Sequence, residues 1–233
     1  MIGSSSCVAR AAALLSVVAF AVGCQQVAWY DPAPDQGAVV TNGRRLGVAY
    51  RISEDGKPGQ SYVVFNVKHA FTIERRRGER HTIVHVQAIL VNRAPVSARL
   101  VCEKTTLEIA GRAFRPVKVR RAGWYGGLDR NAVASGSYAR FDLYYDLGAY
   151  RPSWEYAPAP PVIGGIPFGT LREFAVNWRA VWGRENRTGS TRFVLDYAGV
   201  FADGVDGLDR PAHRRSRPVW GLSEQDRRLL SKY

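Results

Sequence analysis

The run of residues 81 to 90, HTIVHVQAIL, constrains the fold more than any other stretch of the chain. Val84, Val86, Ala88 and Leu90 fall on one face, and His85, Gln87 and Ile89 on the other. That two-residue period is the signature of a half-buried β-strand, and helical spacing fits it less well. At Asn92-Arg93-Ala94-Pro95 the alternation stops. Pro95 supplies no backbone N–H and holds Ala94 out of the helical region, so the chain turns there and returns toward Leu100. The segment from His81 to Leu100 therefore predicts two paired strands around which two sheets can close.

The same pattern recurs along the chain. Gly47 to Ile52, Tyr62 to Val67 and Ala70 to Glu74 are short β-branched and aromatic runs, parted by Asp55-Gly56 and Pro58-Gly59. Arg75-Arg76-Arg77-Gly78-Glu79-Arg80 joins the third of these to the opening strand, with Gly78 where a hairpin needs a positive φ. Ala98 to Cys102 and Thr105 to Ile109 are strand-like, and Ala110-Gly111 turns the chain into Arg112 to Pro116. A loop from Val119 to Ser137 precedes the strongest alternation, with Phe141, Leu143 and Tyr145 opposite Arg140, Asp142 and Tyr144. Five prolines between Gly148 and Gly169 exclude a central strand there. Phe174, Val176, Trp178, Ala180 and Trp182 then face Thr191, Phe193, Leu195 and Tyr197 across a connection from Gly183 to Gly189, and Asn186-Arg187-Thr188 within it matches a glycosylation acceptor by chance.

The first residues belong to a different class. Arg10 followed by the apolar run Ala11 to Val22 has the charged and hydrophobic regions of a secretory signal, and it is shorter than the about 20 apolar residues a spanning helix needs. Phe20-Ala21-Val22-Gly23-Cys24 resembles the lipobox of bacterial lipoproteins, although Ala21 stands where Leu is commoner. The resemblance implies lipidation of Cys24, which becomes the mature N-terminus, and Gln25 in place of Asp implies sorting to the outer membrane on its periplasmic side. From Gln26 to Arg45 the chain is broken by Pro32, Pro34, Gly37 and Gly43 and reads as a tether. The expected organisation is a signal over 1–23, a tether over 24–45, a β-domain over 46–198 and a basic tail over 199–233. Ser223 to Asp226 offers an N-cap for a short terminal helix within that tail. With Cys7 removed and Cys24 lipidated, Cys102 has no partner, and its apolar surroundings make it a small buried hydrophobe.

A formal charge of +13 would ordinarily point to nucleic acid. Here 28 of the 33 basic residues are Arg, the bias of a GC-rich genome, and the chain carries an export signal. The expected partners are the membrane, through the N-terminal lipid, and an envelope protein, polysaccharide or other anionic polymer. No nucleic acid is expected.

The strand count and spacing predict an all-β protein, an antiparallel two-sheet sandwich with long loops. The order of an alternating strand ending in Asn92, a proline turn, Gly111-Arg112-Ala113-Phe114-Arg115-Pro116, a Gly-Ser turn and Phe141-Asp142-Leu143 resembles the immunoglobulin-like domains of bacterial exported proteins described as telokin-like. That resemblance covers residues 81 to 146 and implies a binding or structural module without catalytic residues.

Local signatures of catalysis, cofactor binding and metal binding are absent from the sequence: no nucleophile elbow, no H-E-x-x-H, no paired C-x-x-C, no Walker loop and no dinucleotide fingerprint. His81 and His85 lie about 13 Å apart along one strand, too far for one metal, and Asp142 and Asp146 share the same difficulty. These four are expected on the solvent side of the sheet. The candidate ligand-binding residues are the loop aromatics Trp124, Tyr125, Trp154 and Tyr156, each pair with Arg nearby, and the turn cations Arg75, Arg76 and Arg77, which suit a phosphate or carboxylate. The leading expectation is a lipid-anchored, non-catalytic binding or scaffolding module. The alternative is a secreted carbohydrate-binding or carbohydrate-processing protein that uses the four rings.

Overall fold

The computed structural model describes residues 25–36, 39–41, 44–52, 61–76, 78–122, 131–150 and 164–201. They are organised as thirteen β-strands and two single 3-10 turns, and among the described residues there is no α-helix. In chain order the strands are β1 (Gln25–Pro32), β2 (Val39–Thr41), β3 (Arg44–Arg51), β4 (Ser61–Arg76), β5 (Glu79–Asn92), β6 (Ala98–Leu100), β7 (Thr106–Ile109), β8 (Arg112–Phe114), β9 (Lys118–Ala122), β10 (Ala132–Val133), β11 (Ser137–Tyr150), β12 (Glu173–Trp182) and β13 (Glu185–Phe201). All pairings are antiparallel, in the order β10-β6-β12-β13-β1-β4-β5-β11-β9, with β3 and β7 attached at the sides.

The sheet curls so that one face encloses a single core. Val63, Phe65 and Val67 of β4, Val84, Val86, Ala88 and Leu90 of β5, and Phe141, Leu143 and Tyr145 of β11 meet Phe174, Val176, Trp178 and Trp182 of β12. The faces assigned from the alternation in β5, β11 and β12 are those observed. A fully buried Phe or Leu contributes about 1.5–3 kcal/mol, so this inward row supplies the main driving force. Buried hydroxyls within it are satisfied: Tyr145 donates to the Thr105 carbonyl at 3.0 Å and Tyr30 to the Leu171 carbonyl at 2.9 Å. Burial raises both phenols well above their ordinary pKa. Cys102 is a buried thiol outside any disulfide among the described residues, as its neighbours in sequence suggested, and its Sγ lies 3.7 Å from Asn131 Oδ1.

Several boundaries differ from expectation. The segment read as a tether, 24–45, instead supplies β1, β2 and the start of β3, and β1 lies inside the sheet between β13 and β4. The prolines that suggested a tether close β1 and follow it. There the chain is fastened by Ala33 N–H to the Arg192 carbonyl at 2.9 Å and by the Asp35–Arg192 ion pair at 2.9 Å. At the other terminus β13 runs to Phe201, past the expected start of the tail at 199; the expected terminal helix lies outside the described residues.

The two runs 62–67 and 70–74 are one 16-residue strand, β4, whose ladder to β5 shifts between Val67 and His69 so that Lys68 forms a bulge. The expected loop 119–137 holds the edge strand β9 and the short β10; the cations of β9 mark an edge strand, and they hid its alternation. The expected connection 183–189 shrinks to a two-residue turn with Gly183 at φ +59. Gly189 can stay in the strand because the Trp178 ring lies against its backbone, where a Cβ would come within 2.5 Å of the ring.

Asn92 closes the corner where β5 ends. Its side chain is fully buried and uses all four hydrogen-bonding positions. Nδ2 donates to the carbonyls of Val96 at 2.8 Å and Val133 at 2.9 Å, while Oδ1 accepts from Ser61 Oγ at 2.7 Å and Ala94 N–H at 3.3 Å. It thus joins the start of β4, the end of β5, the Pro95 turn and β10.

Replacing Asn92 by Ala strands these partners in a dry corner, and each buried unsatisfied group costs about 1–3 kcal/mol. Urea unfolding is expected to show a loss of roughly 3 kcal/mol or more for Asn92→Ala, with a comparable loss for Asn92→Asp, which sets a carboxylate against two carbonyls. A loss below about 1 kcal/mol in both would contradict this role. Ala110 sits at φ +47 in the exposed β7–β8 turn, the one non-glycine residue with positive φ among the described residues. Ala110→Gly is expected to stabilise by up to about 1 kcal/mol in the same measurement, because the left-handed region disfavours a Cβ.

Candidate functional site

The outward face of β4, β5, β11 and β9 carries a polar array that no single strand reveals. The ladders align His69 of β4, His85 of β5, Tyr144 of β11 and Lys118 of β9 in one cross-strand row. The next row toward Asn92 sets Asn66, Gln87, Asp142 and Arg120 side by side. Directly opposed residues lie about 4.5–5.5 Å apart and diagonal ones within reach of long side chains, so the register decides which groups meet.

The rings of the first row stack. His85 lies face to face with Tyr144 at a centroid distance of 4.4 Å and edge-on to His69 at 5.3 Å, and the Lys118 ammonium stands over Tyr144 at 5.8 Å. The histidines pair diagonally with the carboxylates of β11. His85 Nε2 lies 3.0 Å from Asp142 Oδ1, which also accepts from Gln87 Nε2 at 3.3 Å. His81 Nδ1 lies 2.9 Å from Asp146 Oδ1. A bulge at the end of β11, with Gly148 at φ +89, brings the Gly148 N–H to the same oxygen at 2.9 Å, and Arg75 Nη2 reaches Oδ2 at 3.0 Å.

This face is far drier than the sequence suggested. The side chains of His81, His85, Asp142 and Asp146 are only 11–15 % exposed, in place of the expected solvent side. Tyr62, Val64, Ile89 and Val91 are buried on the same face, so β4 and β5 are covered on both sides along much of their length.

Electrostatics follow from that burial. Burial raises the Asp142 carboxyl, but the hydrogen bond and charge of His85, the Gln87 amide and the Arg140 guanidinium outweigh it and hold the group below its usual range. His69 has no carboxylate. Burial, then the neighbouring His85 and Lys68, lower it to about 4, and it is neutral at physiological pH. The array holds charge on the Asp142 carboxylate, with His85 and Gln87 against it, while His69 serves as a neutral aromatic wall. Among the described residues no group of three or more His, Cys, Asp or Glu side chains converges on a common point.

Of the candidate ligand-binding residues named from sequence, Arg75 alone has a described side chain, half-exposed and paired with Asp146. Arg76 ends β4 opposite Glu79. Arg77, Cys24, Trp124, Tyr125, Trp154 and Tyr156 lie outside the described residues. The His–Asp pairs were missed because the spacing within each strand separates like from like. The signal that could have found them was that 81 and 85 share one parity in their strand and 142 and 146 share one in theirs, each opposite the apolar positions of a strongly alternating segment. No protein-family model, curated protein or solved structure matches the chain.

The lowered His69 sets a pH dependence with a definite sign. As pH falls below the ordinary histidine value of 6.5, the unfolded chain takes up a proton that the folded chain refuses until about 4. Stability is therefore complete above that window and is lost as pH falls through it, by at most about 1.4 kcal/mol per pH unit. The depressed Asp142 adds a loss at lower pH, as its carboxylate is protonated in the folded state. Denaturant midpoints measured across this range are expected to fall with acidification, and His69→Phe, which keeps a ring, should flatten the dependence. An unchanged slope in that variant would remove His69 from the explanation.

Proposed function

We propose that this chain is a lipid-anchored cell-envelope protein whose β-sheet domain acts as a non-catalytic binding or scaffolding module. The observation that carries the reading is the Phe20-Ala21-Val22-Gly23-Cys24 segment, placed after Arg10 and an apolar run and immediately before the first strand, β1, at Gln25. A lipidated Cys24 would become the first residue of the mature protein and would stand one residue from the folded sheet. Gln25 after the cysteine favours an outer-membrane address facing the periplasm.

The domain suits such a role. Its antiparallel strands enclose one core, and its outward polar array is built from residues that hold one another by stacking and ion pairing, as expected of a rigid recognition scaffold. The immunoglobulin-like character belongs to this proposal. It is supported by the antiparallel pairing of the strands and by the corner at Asn92–Pro95 that ends β5.

Growth with a labelled fatty acid is the direct test. Label is expected in the wild-type chain and not in Cys24→Ser, which should also leave the membrane fraction. Equal absence of label in the two chains would refute the anchor.

A further inference from the structure

The curled sheet ends on one side in β9. This strand is hydrogen-bonded to β11, and among the described residues no strand lies against its second side, which presents backbone N–H and C=O groups. Five residues at about 3.3 Å each give an edge of roughly 17 Å. The other end of the sheet is the two-residue β10, whose Val133 is buried, and it offers no such length. Register sorts the side chains of β9. Lys118 and Arg120 stand opposite Tyr144 and Asp142 on the outer face, while Val119 and Arg121 stand opposite Leu143 and Phe141 on the inner one. Val117, two positions before Val119, donates its N–H to the Tyr144 carbonyl at 2.8 Å. The two valines are 62 % and 42 % exposed, two of the five large apolar side chains that stand in solvent among the described residues. Cations are enough to blunt an edge against aggregation, and that purpose does not call for two valines in water beside them.

We propose that β9 is a docking edge for an extended acidic segment of a partner protein, which adds to the sheet as a further strand. The inference rests on the binding-module reading above and is independent of the lipid anchor. Charge points to the partner's chemistry. Between Arg112 and Ala122 the chain carries five bases and no acid. Asp142, the acid facing Arg120 across the ladder, is already held by His85, Gln87 and Arg140. Lys118 and Arg120 are both exposed, and among the described residues neither forms an ion pair; the Lys118 ammonium rests over Tyr144. A partner strand of matching pattern has acids at alternate positions, opposite Lys118 and Arg120, with an apolar residue between them beside Val119. Main-chain hydrogen bonds then supply affinity, and the alternating side chains supply selectivity. The same charges disfavour a second copy of this chain. Turned end for end about its own centre, β9 would set Arg120 against Arg120 and Val119 against Arg121, and directly opposed like charges repel.

The test is fluorescence anisotropy on the detergent-extracted full chain, with a labelled peptide Thr-Glu-Val-Glu-Val-Thr and its counterpart carrying Lys for Glu. The acidic peptide is expected to bind and the basic one to stay free. Arg120→Glu is expected to weaken the acidic peptide roughly tenfold, since an attractive cross-strand pair becomes a repulsive one. Backbone N-methylation separates strand addition from plain charge attraction, because only alternate residues of an added strand turn their N–H toward the sheet. Methylating both valines, or both glutamates, should therefore abolish binding in one case and spare it in the other. An equal effect of the two methylation patterns, no binding of the acidic peptide at about 1 mM, or tighter binding of the basic one would each overturn the proposal. So would a dimer of the chain whose dissociation on dilution speeds amide exchange in β9, because a second copy would then fill the edge. Fatty-acid label on the same preparation reads the anchored protein separately, so failure of the peptide to bind removes the edge and leaves the anchor standing.

Discussion

The side-chain amide of Asn92 makes four hydrogen bonds in a fully buried corner, and the rest of the sheet is referred to that corner. It ties Ser61 at the start of β4 to the end of β5, and both to the Val133 carbonyl of β10. A buried amide with every position used is a strict geometric condition, since a slip of one residue would leave donors and acceptors unpaired. The register it fixes runs through β4, β5 and β11 for most of their length. Because side chains alternate with a period of two, the same register decides what enters the core and what lies on the outer face. Phe65, Ala88 and Phe141 meet on the inside in one cross-strand row for the same reason that His69, His85 and Tyr144 meet on the outside in another.

The outer face shows how burial and polarity are reconciled. Four titratable side chains there are largely desolvated, which would be costly for isolated charges. Each carboxylate is therefore surrounded by donors: Asp146 by His81, Gly148 and Arg75, and Asp142 by His85, Gln87 and Arg140. His69, without an acid, gives up its proton instead. The bulges serve this arrangement directly. The extra residue near Lys68 returns His69 to the outer face opposite His85, and the Gly148 bulge turns a backbone N–H onto Asp146.

The position of β1 changes the meaning of the N-terminal motif. A domain on a flexible tether would sample many orientations above a membrane. A strand that begins at Gln25 and is hydrogen-bonded to neighbours on both sides would leave little slack to the lipid proposed for Cys24. Under the anchored reading, strand direction then becomes orientation, and the loops at the Asn92 end point away from the bilayer.

The fold class was legible in the chain, because alternation in 84–90, 141–145 and 174–182 can bury one face only as strands, and the turn residues Gly78, Ala110-Gly111 and Gly183 mark where those strands reverse. The inward residues followed from the same period. Less legible were segments whose pairing outweighs their composition: β1, rich in signals for a tether, becomes an interior strand because β13 and β4 hydrogen-bond it from both sides, and β9 is held to β11 despite its three cations. The candidate site was hidden for a related reason. His81 and His85 on β5, and Asp142 and Asp146 on β11, are each too far apart along their own strand to cooperate. They become His–Asp pairs only when an antiparallel register sets one strand diagonally beside the other. Period and turn chemistry are local properties that a sequence carries by itself, whereas register and the covering of a second face are relations between distant segments, and only the folded sheet decides them.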